Sequence, residues 1–314
     1  MENLITDQEL VICSDVVAAS SWTGRVFDGT WGGNQKVRVR KISDIDVRKK
    51  GDFEKYLSPL FAHENVLKVL GSVLNSPDRA HRYFVLEHFD LTLQQYCQNV
   101  EIQESLYVMP ADIDALRQMA EGLLFIHGKD LLHGSINPDN VFVCTNRDTL
   151  GLLVKISDFG LHVAMTAVEN RIQSYHWHPR YWLPEEPHEI EPSVYGADFG
   201  PDTVQIPESF YNDVFALGCT MFYFLKRQHP FLGPLENDND PLQQILHNIR
   251  IQNAAGLSML PRGEDHVAYK PIKDMVNNSL EQYTPEESIR RIGRPHLLIA
   301  ATIFKAYLAD HPLQ

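Results

Sequence analysis

The sequence predicts an α+β fold in which a small β-rich lobe precedes a larger α-helical lobe. Three observations carry this. The first ninety or so residues hold short β-branched and aromatic runs of strand length. From about residue 91 the apolar positions recur at helical spacing instead. No repeat and no low-complexity linker interrupts the 314 residues, so one domain is expected over 1–314, with an N-lobe over 10–90 and a C-lobe over 91–314.

The predicted strands are "GRVFDGTW", "KVRVRKI" and "HRYFVLEHF". Between the second and third, Phe53, Leu57, Leu60 and Phe61 fall at helical spacing, with Asp52 and Glu54 near the start. Pro59 kinks or shortens that helix. The lobes join near Glu87 to Leu91. "PADIDALRQMAEGLLFIH" then places Ile113, Leu116, Ala120, Leu123 and Leu124 on one face, with Pro110 at the N-terminal end. "LLVKI" is a strand. "DVFALGCTMFYFLK" is apolar on nearly every side, the pattern of a buried central helix. "DPLQQILHNIR", "PIKDMVNNSL" and "RPHLLIAATIFKAYLAD" are the remaining helices. Tyr181 to Leu225 holds no Lys or Arg, and within it an extended acidic, proline-punctuated insertion is expected over about 186–207.

Charge narrows the function. A net charge of −13 argues against non-specific nucleic-acid binding, which needs a cationic surface, and against docking to anionic lipid. No run approaches the length of a membrane span, and "MENLITDQEL" lacks a basic region followed by an apolar run. Cys13, Cys97, Cys144 and Cys219 lie far apart and form no C-x-x-C pair, so a reducing, cytoplasmic setting is expected.

Several motifs then occur in a fixed order: "HENVLKVLG" with Glu54 upstream, "LLHGSINPDN", "SDFG", "YWLPE" and "DVFALG". Together they resemble the protein-kinase fold over about residues 10–310. In "SDFGL", "FALGCTMFYFLKRQHPF" and "LTLQQY" the C-lobe is similar to the kinase domain of the inositol-requiring unfolded-protein sensors. In "GRVFDGTWGG", "KVRVRKI" and "HENVLKVLG" the N-lobe is equally similar to Raf-like and integrin-linked kinases.

The resemblance implies four working parts, each of which can be weighed against its chemistry. The phosphate-cradling glycine loop corresponds to "AASSWTGRV", where Ala19 and Ser21 stand at glycine positions, Trp22 sits at the tip and Gly24 alone survives before Val26. The strand lysine position is Arg40, with Lys41 next to it. Val37 and Val39 favour Arg40 as the inward cation. Alternation then also turns Arg38 inward, where the family has a small alanine over the adenine. With Lys41 inward, Val39 would be the roof. Glu54 is the partner of either cation, and Leu86 and Glu87 complete the vestigial nucleotide site. The catalytic His-Arg-Asp is replaced by His133, Gly134 and Ser135, and a serine hydroxyl is no comparable base near neutral pH. Asn137 replaces the lysine that steadies the transferred phosphoryl group. Asn140 and Asp158 retain the magnesium-holding side chains, whether for metal or for packing.

These losses predict a catalytically inactive pseudokinase, not an enzyme, working as a protein-interaction scaffold or allosteric adaptor in signalling. A nucleotide-binding switch and a weak residual ATP-dependent protein kinase are the alternatives. No cofactor is expected, with weak ATP and magnesium binding left open. The expected partner is a protein with a basic surface that meets the acidic loop 186–207. Neither nucleic acid nor membrane is expected, and a homodimer is left open.

Overall fold

The computed structural model describes residues 10–20, 24–43, 61–73, 81–99, 109–134, 136–146, 151–157, 210–233, 241–251, 253–261, 266–281 and 293–312. The chain divides into two compact units, Met1–Ala164 with Phe304–Gln314, and Met165–Ile303. An antiparallel sheet lobe and a helical lobe make this the α+β architecture that the sequence predicts.

In the first unit a five-stranded antiparallel sheet runs in the order β1 (Leu10–Ser20), β2 (Gly24–Trp31), β3 (Gln35–Ser43), β5 (His81–Glu87), β4 (Val69–Val73). Val37 and Val39 of β3 pack with Val73 and Val85, and Leu10, Trp31, Leu70 and Tyr83 surround them. The sheet closes tightly at Gly29, where a Cβ would meet the Val11 carbonyl and a Val39 methyl at 2.8 Å. The β2–β3 turn uses Gly32 and Gly33 at φ of 58° and 90°, a region open to glycine. Strands β1 and β4 were not predicted. The first is broken by register shifts between Ile12 and Ala18, and the second emerges from "HENVLKVLG". The predicted helix over Phe53 to Leu60 lies outside the described residues. Phe61 is not helical: the chain from there turns and bridges Val66 to Ile156 before entering β4.

A three-stranded sheet follows in the order β6 (Leu91–Thr92), β7 (Val141–Thr145), β8 (Leu152–Ile156). Helix α1 (Leu93–Gln98) starts with a capping box. Gln95 N–H donates to Thr92 Oγ1 at 3.1 Å, and Thr92 N–H donates to Gln95 Oε1 at 2.9 Å. Helix α2 (Asp112–Gly128) opens with Asp112 and Asp114 against its positive end and buries Ile113, Leu116, Met119, Ala120 and Leu123. It presses closely on the loop before β4, since a Cβ on Gly122 would lie 2.4 Å from the Asn65 carbonyl.

In the second unit α3 (Phe210–Lys226) is the central helix that its all-round apolarity predicts, with Val214, Phe215, Leu217, Met221 and Phe222 fully buried. Gly218 lets α5 (His266–Glu281) approach, a Cβ there meeting Met275 and Val276 at 3.0 Å. Before α5 lie α4 (Pro241–Arg250) and a short 3-10 turn, Ala255–Met259. Helix α5 begins at His266, ahead of the predicted start at Pro271. The buried row Ala268, Ile272, Met275 and Val276 carries the helix through the proline. Helix α6 (Gly293–Asp310) is the last described helix, and its residues from Phe304 onward are assigned to the first unit. Among the described residues no helix is long and apolar enough to cross a membrane.

Candidate functional site

The site is built from strand alternation on β3. Val37 and Val39 face the apolar core, so Arg38 and Arg40 face the other way, and they are 5% and 1% exposed. Across from Arg40 stand Val26 on β2 and Phe84 on β5; across from Arg38 stand Asp28 and Leu86. Lys41 lies on the valine side, half-buried, its ammonium 5.7 Å from the Tyr83 ring centroid. Of the two adjacent cations, Arg40 is the buried one.

Arg38 is held from three directions. Its Nη1 donates to the Asp28 carboxylate, its Nε donates to the Phe89 carbonyl at 2.9 Å, and its guanidinium carbon lies 5.1 Å above the Phe89 ring. That ring is buried and packs on Phe142 of β7 with centroids 4.4 Å apart. His88, half-buried beside it, is held below its ordinary pKa, first by burial and then by the Arg38 guanidinium.

The stretch from Asn137 to Asn140 closes on itself. His133 and Asn140 are fully buried, and Gly134 sits at φ 72°, a conformation that suits glycine and strains the arginine the family pattern has there. The Asn137 amide oxygen accepts the Asp139 backbone N–H at 2.8 Å, and the Asn140 N–H donates to the Asn137 carbonyl at 3.0 Å. The loop is fastened outward by Gln94 N–H to the Pro138 carbonyl and by Ser157 N–H to the Asn140 carbonyl. Asp139, half-buried, has its pKa raised to about 6 by desolvation, with the Arg40 guanidinium pulling the other way. The β3 cation and the loop thus act on each other.

The other predicted site residues are placed as follows. Gly24 opens β2 opposite Ser20, and Leu86 is buried in β5. Glu87 Oε1 is engaged away from Arg38, by the Lys68 N–H at 2.7 Å and the Lys155 ammonium at 2.8 Å. Glu54, Ser135, Asp158 and the acidic insertion 186–207 lie outside the described residues. Among the described residues no group of three His, Cys, Asp or Glu gathers as a metal site.

Sequence reasoning missed Asp28, Phe89, Phe142 and Asp139. It also missed Asn65 and Gln118, which position β8. The Asn65 amide donates to the Val154 carbonyl at 3.1 Å, and the Val154 N–H donates to Gln118 Oε1 at 2.7 Å. A polar residue inside the apolar run "HENVLKVLG", and a glutamine in the apolar row of α2, were the available signals.

The protein kinase domain family matches residues 23–288, more than half of the chain, and the chain belongs to that family. It is similar to the serine/threonine-protein kinase A-Raf of Homo sapiens, 26% identical over 220 residues that cover 66% of this chain and 31% of that protein. It is also similar to the RAF proto-oncogene serine/threonine-protein kinase of Xenopus laevis, 23% identical over 233 residues, 70% of this chain and 31% of that protein. A third relative is the serine/threonine-protein kinase/endoribonuclease ire-1 of Caenorhabditis elegans, 24% identical over 230 residues, 69% of this chain and 21% of that protein. The chain spans less than a third of the length of these curated relatives.

These matches correct the expectation that the chain is not an enzyme. The family is one of enzymes, and the relatives are named as serine/threonine-protein kinases. The family implies ATP and magnesium, and for the purine base the described residues do not fit as arranged. The space below Arg38 holds the Phe89 ring, and the Phe89 carbonyl is already bonded to the guanidinium.

Proposed function

We propose that this chain is a protein-kinase-family signalling domain with slow phosphotransfer, whose main output is the binding of a protein partner. The supporting observation is the commitment of Asn137. Its amide oxygen shapes its own loop through the Asp139 N–H, and the residue is 4% exposed. An amide there brings no positive charge to a transferring phosphoryl group. Losing one such electrostatic group lowers a rate by about 10²–10³-fold. Ser135 acts in the same direction, because a hydroxyl accepts a proton near neutral pH far less readily than a carboxylate.

The partner reading rests on charge. A chain of net charge −13 with an acidic, lysine-free and arginine-free stretch would steer a basic protein surface to itself by long-range attraction. The expected contact is the insertion 186–207.

Transfer of radiolabelled phosphate from saturating ATP to a basic protein substrate tests the first part. The unaltered chain should turn over on the order of 10²-fold or more below the ~1–100 s⁻¹ of kinases. The Ser135→Asp/Asn137→Lys double variant should recover at least about tenfold. An ordinary kinase rate in the unaltered chain, or no gain in the double variant, overturns the reading. For the second part, partner proteins co-purifying with the chain should be lost when residues 186–207 are deleted, and unchanged recovery contradicts the role given to that segment.

A further inference from the structure

We propose that the base-binding side of this domain is self-occupied: the Phe89 ring stands where a purine would stack, and Arg38 bars the Phe89 backbone to any incoming base. This deepens the reading of the Arg38 face as the nucleotide side of a protein kinase domain, and it rests on that reading.

The observations converge from three elements. From β3 comes a buried guanidinium, lying over the ring and bonded to the carbonyl of the same residue, Phe89. From β2 comes Asp28, directly across the strand pair, whose carboxylate takes the remaining charge of Arg38. From β7 comes Phe142, two residues beyond Asn140, against which the Phe89 ring packs. A flat aromatic group next to a cation on one element and a ring on another is the setting a nucleobase seeks. Here the chain supplies that group itself. Phe89 lies two residues beyond Glu87, on the segment that joins the five-stranded sheet to β6. The ring therefore links the two sheets without any ligand.

Asp28 explains why such an arrangement can both hold and release. Its side chain is 47% exposed, so the ion pair has one dry end and one wet end. The dry end keeps the guanidinium fixed over the ring. The wet end lets water stabilise Asp28 when Arg38 leaves, so opening strands no buried carboxylate. A purine nucleotide binds only to the open arrangement, and its apparent affinity falls by the fraction of molecules that are open. If about one molecule in ten is open, apparent binding is about tenfold weaker than that of the unbarred site.

The test is ATP binding, read by calorimetry and by melting-temperature shift, with and without magnesium. The unaltered chain should bind weakly, in the millimolar range or above (about 1 mM, roughly 4 kcal/mol). Arg38→Ala should bind at least about tenfold tighter, and Asp28→Asn, which removes the charge but keeps an oxygen able to accept from the guanidinium, about threefold tighter. Micromolar ATP binding by the unaltered chain overturns the proposal. So does ATP binding by Arg38→Ala and Asp28→Asn that equals the unaltered chain. Should Arg38→Ala lose its cooperative melt, Asp28→Asn alone decides between the same two outcomes. Tighter ATP binding in these variants without any phosphotransfer would leave the self-occupied site standing and remove the slow-kinase reading. Measurable slow transfer with no gain in binding would do the reverse.

Discussion

Val37 and Val39 line one face of β3, Arg38 and Arg40 line the other, and all four are buried. Equal burial hides opposite energetics. On the valine face the contacts with Val73 and Val85 remove apolar surface from water, at about 25 cal/mol per Å². On the arginine face burial alone is unfavourable and must be offset by partners. Arg38 meets a carboxylate, a carbonyl and a ring, and Arg40 shares its field with Asp139. Buried charges of this kind contribute little net stability compared with well-packed apolar side chains. The valine face is what the sheet needs in order to fold, and the arginine face fixes what the site can admit.

Truncation separates the two faces most visibly. Arg40→Ala empties the place of a fully buried side chain beside Val26 and Phe84, so it should cost about 3 kcal/mol. Val39→Ala, on the other face, removes two methyl groups and should cost about 2 kcal/mol. Arg40→Met, which keeps volume but not charge, should fall below both, because Asp139, whose pKa burial already lifts to about 6, can take up a proton. Urea unfolding of the three variants measures the order. If Arg40→Met proved as costly as Arg40→Ala, volume would not be what distinguishes them, and the charge itself would be the structural element.

The two faces were also legible to different degrees. Alternation in "KVRVRKI" is enough to put both arginines on one side, and it places them there with two valines behind. Their partners were hidden for physical reasons. Asp28 becomes the partner of Arg38 only once the β2–β3 register is set, which the turn at Gly32 and Gly33 does. Phe89 reads in sequence as the last aromatic of a strand run, whereas β5 ends at Glu87 and the ring turns toward β7. Asp139 and Arg40 come from distant segments and come within electrostatic reach only through the tertiary fold. Gly134 looked like the loss of an arginine, and its φ of 72° shows a backbone shape that glycine serves. At fold level the long periodic helices were legible, but β6, two residues long, is too short to carry a period.

A subtler effect follows from the coupling between Arg40 and Asp139. Folding raises the Asp139 pKa from 3.8 to about 6, so between those values the folded chain holds a proton that the unfolded chain has released. The stability this contributes is complete below pH 3.8 and is lost as pH rises through about 6. Allowing for partial exposure of the carboxyl, the loss amounts to about 1–2 kcal/mol. His63 and His88 slope the other way. Burial lowers both pKa values, so their contribution is present above the ordinary histidine pKa and is lost as pH falls. The informative quantity is accordingly the difference in unfolding free energy between the unaltered chain and Asp139→Asn, followed from pH 4 to 7. The unaltered chain should lose stability relative to the variant across that window. In an Arg40→Met background the same difference should persist to higher pH, because the guanidinium no longer pulls the Asp139 pKa down. A pH-independent difference between the unaltered chain and Asp139→Asn would mean that Asp139 titrates alike folded and unfolded, and that the arginine face reaches no further than Arg38.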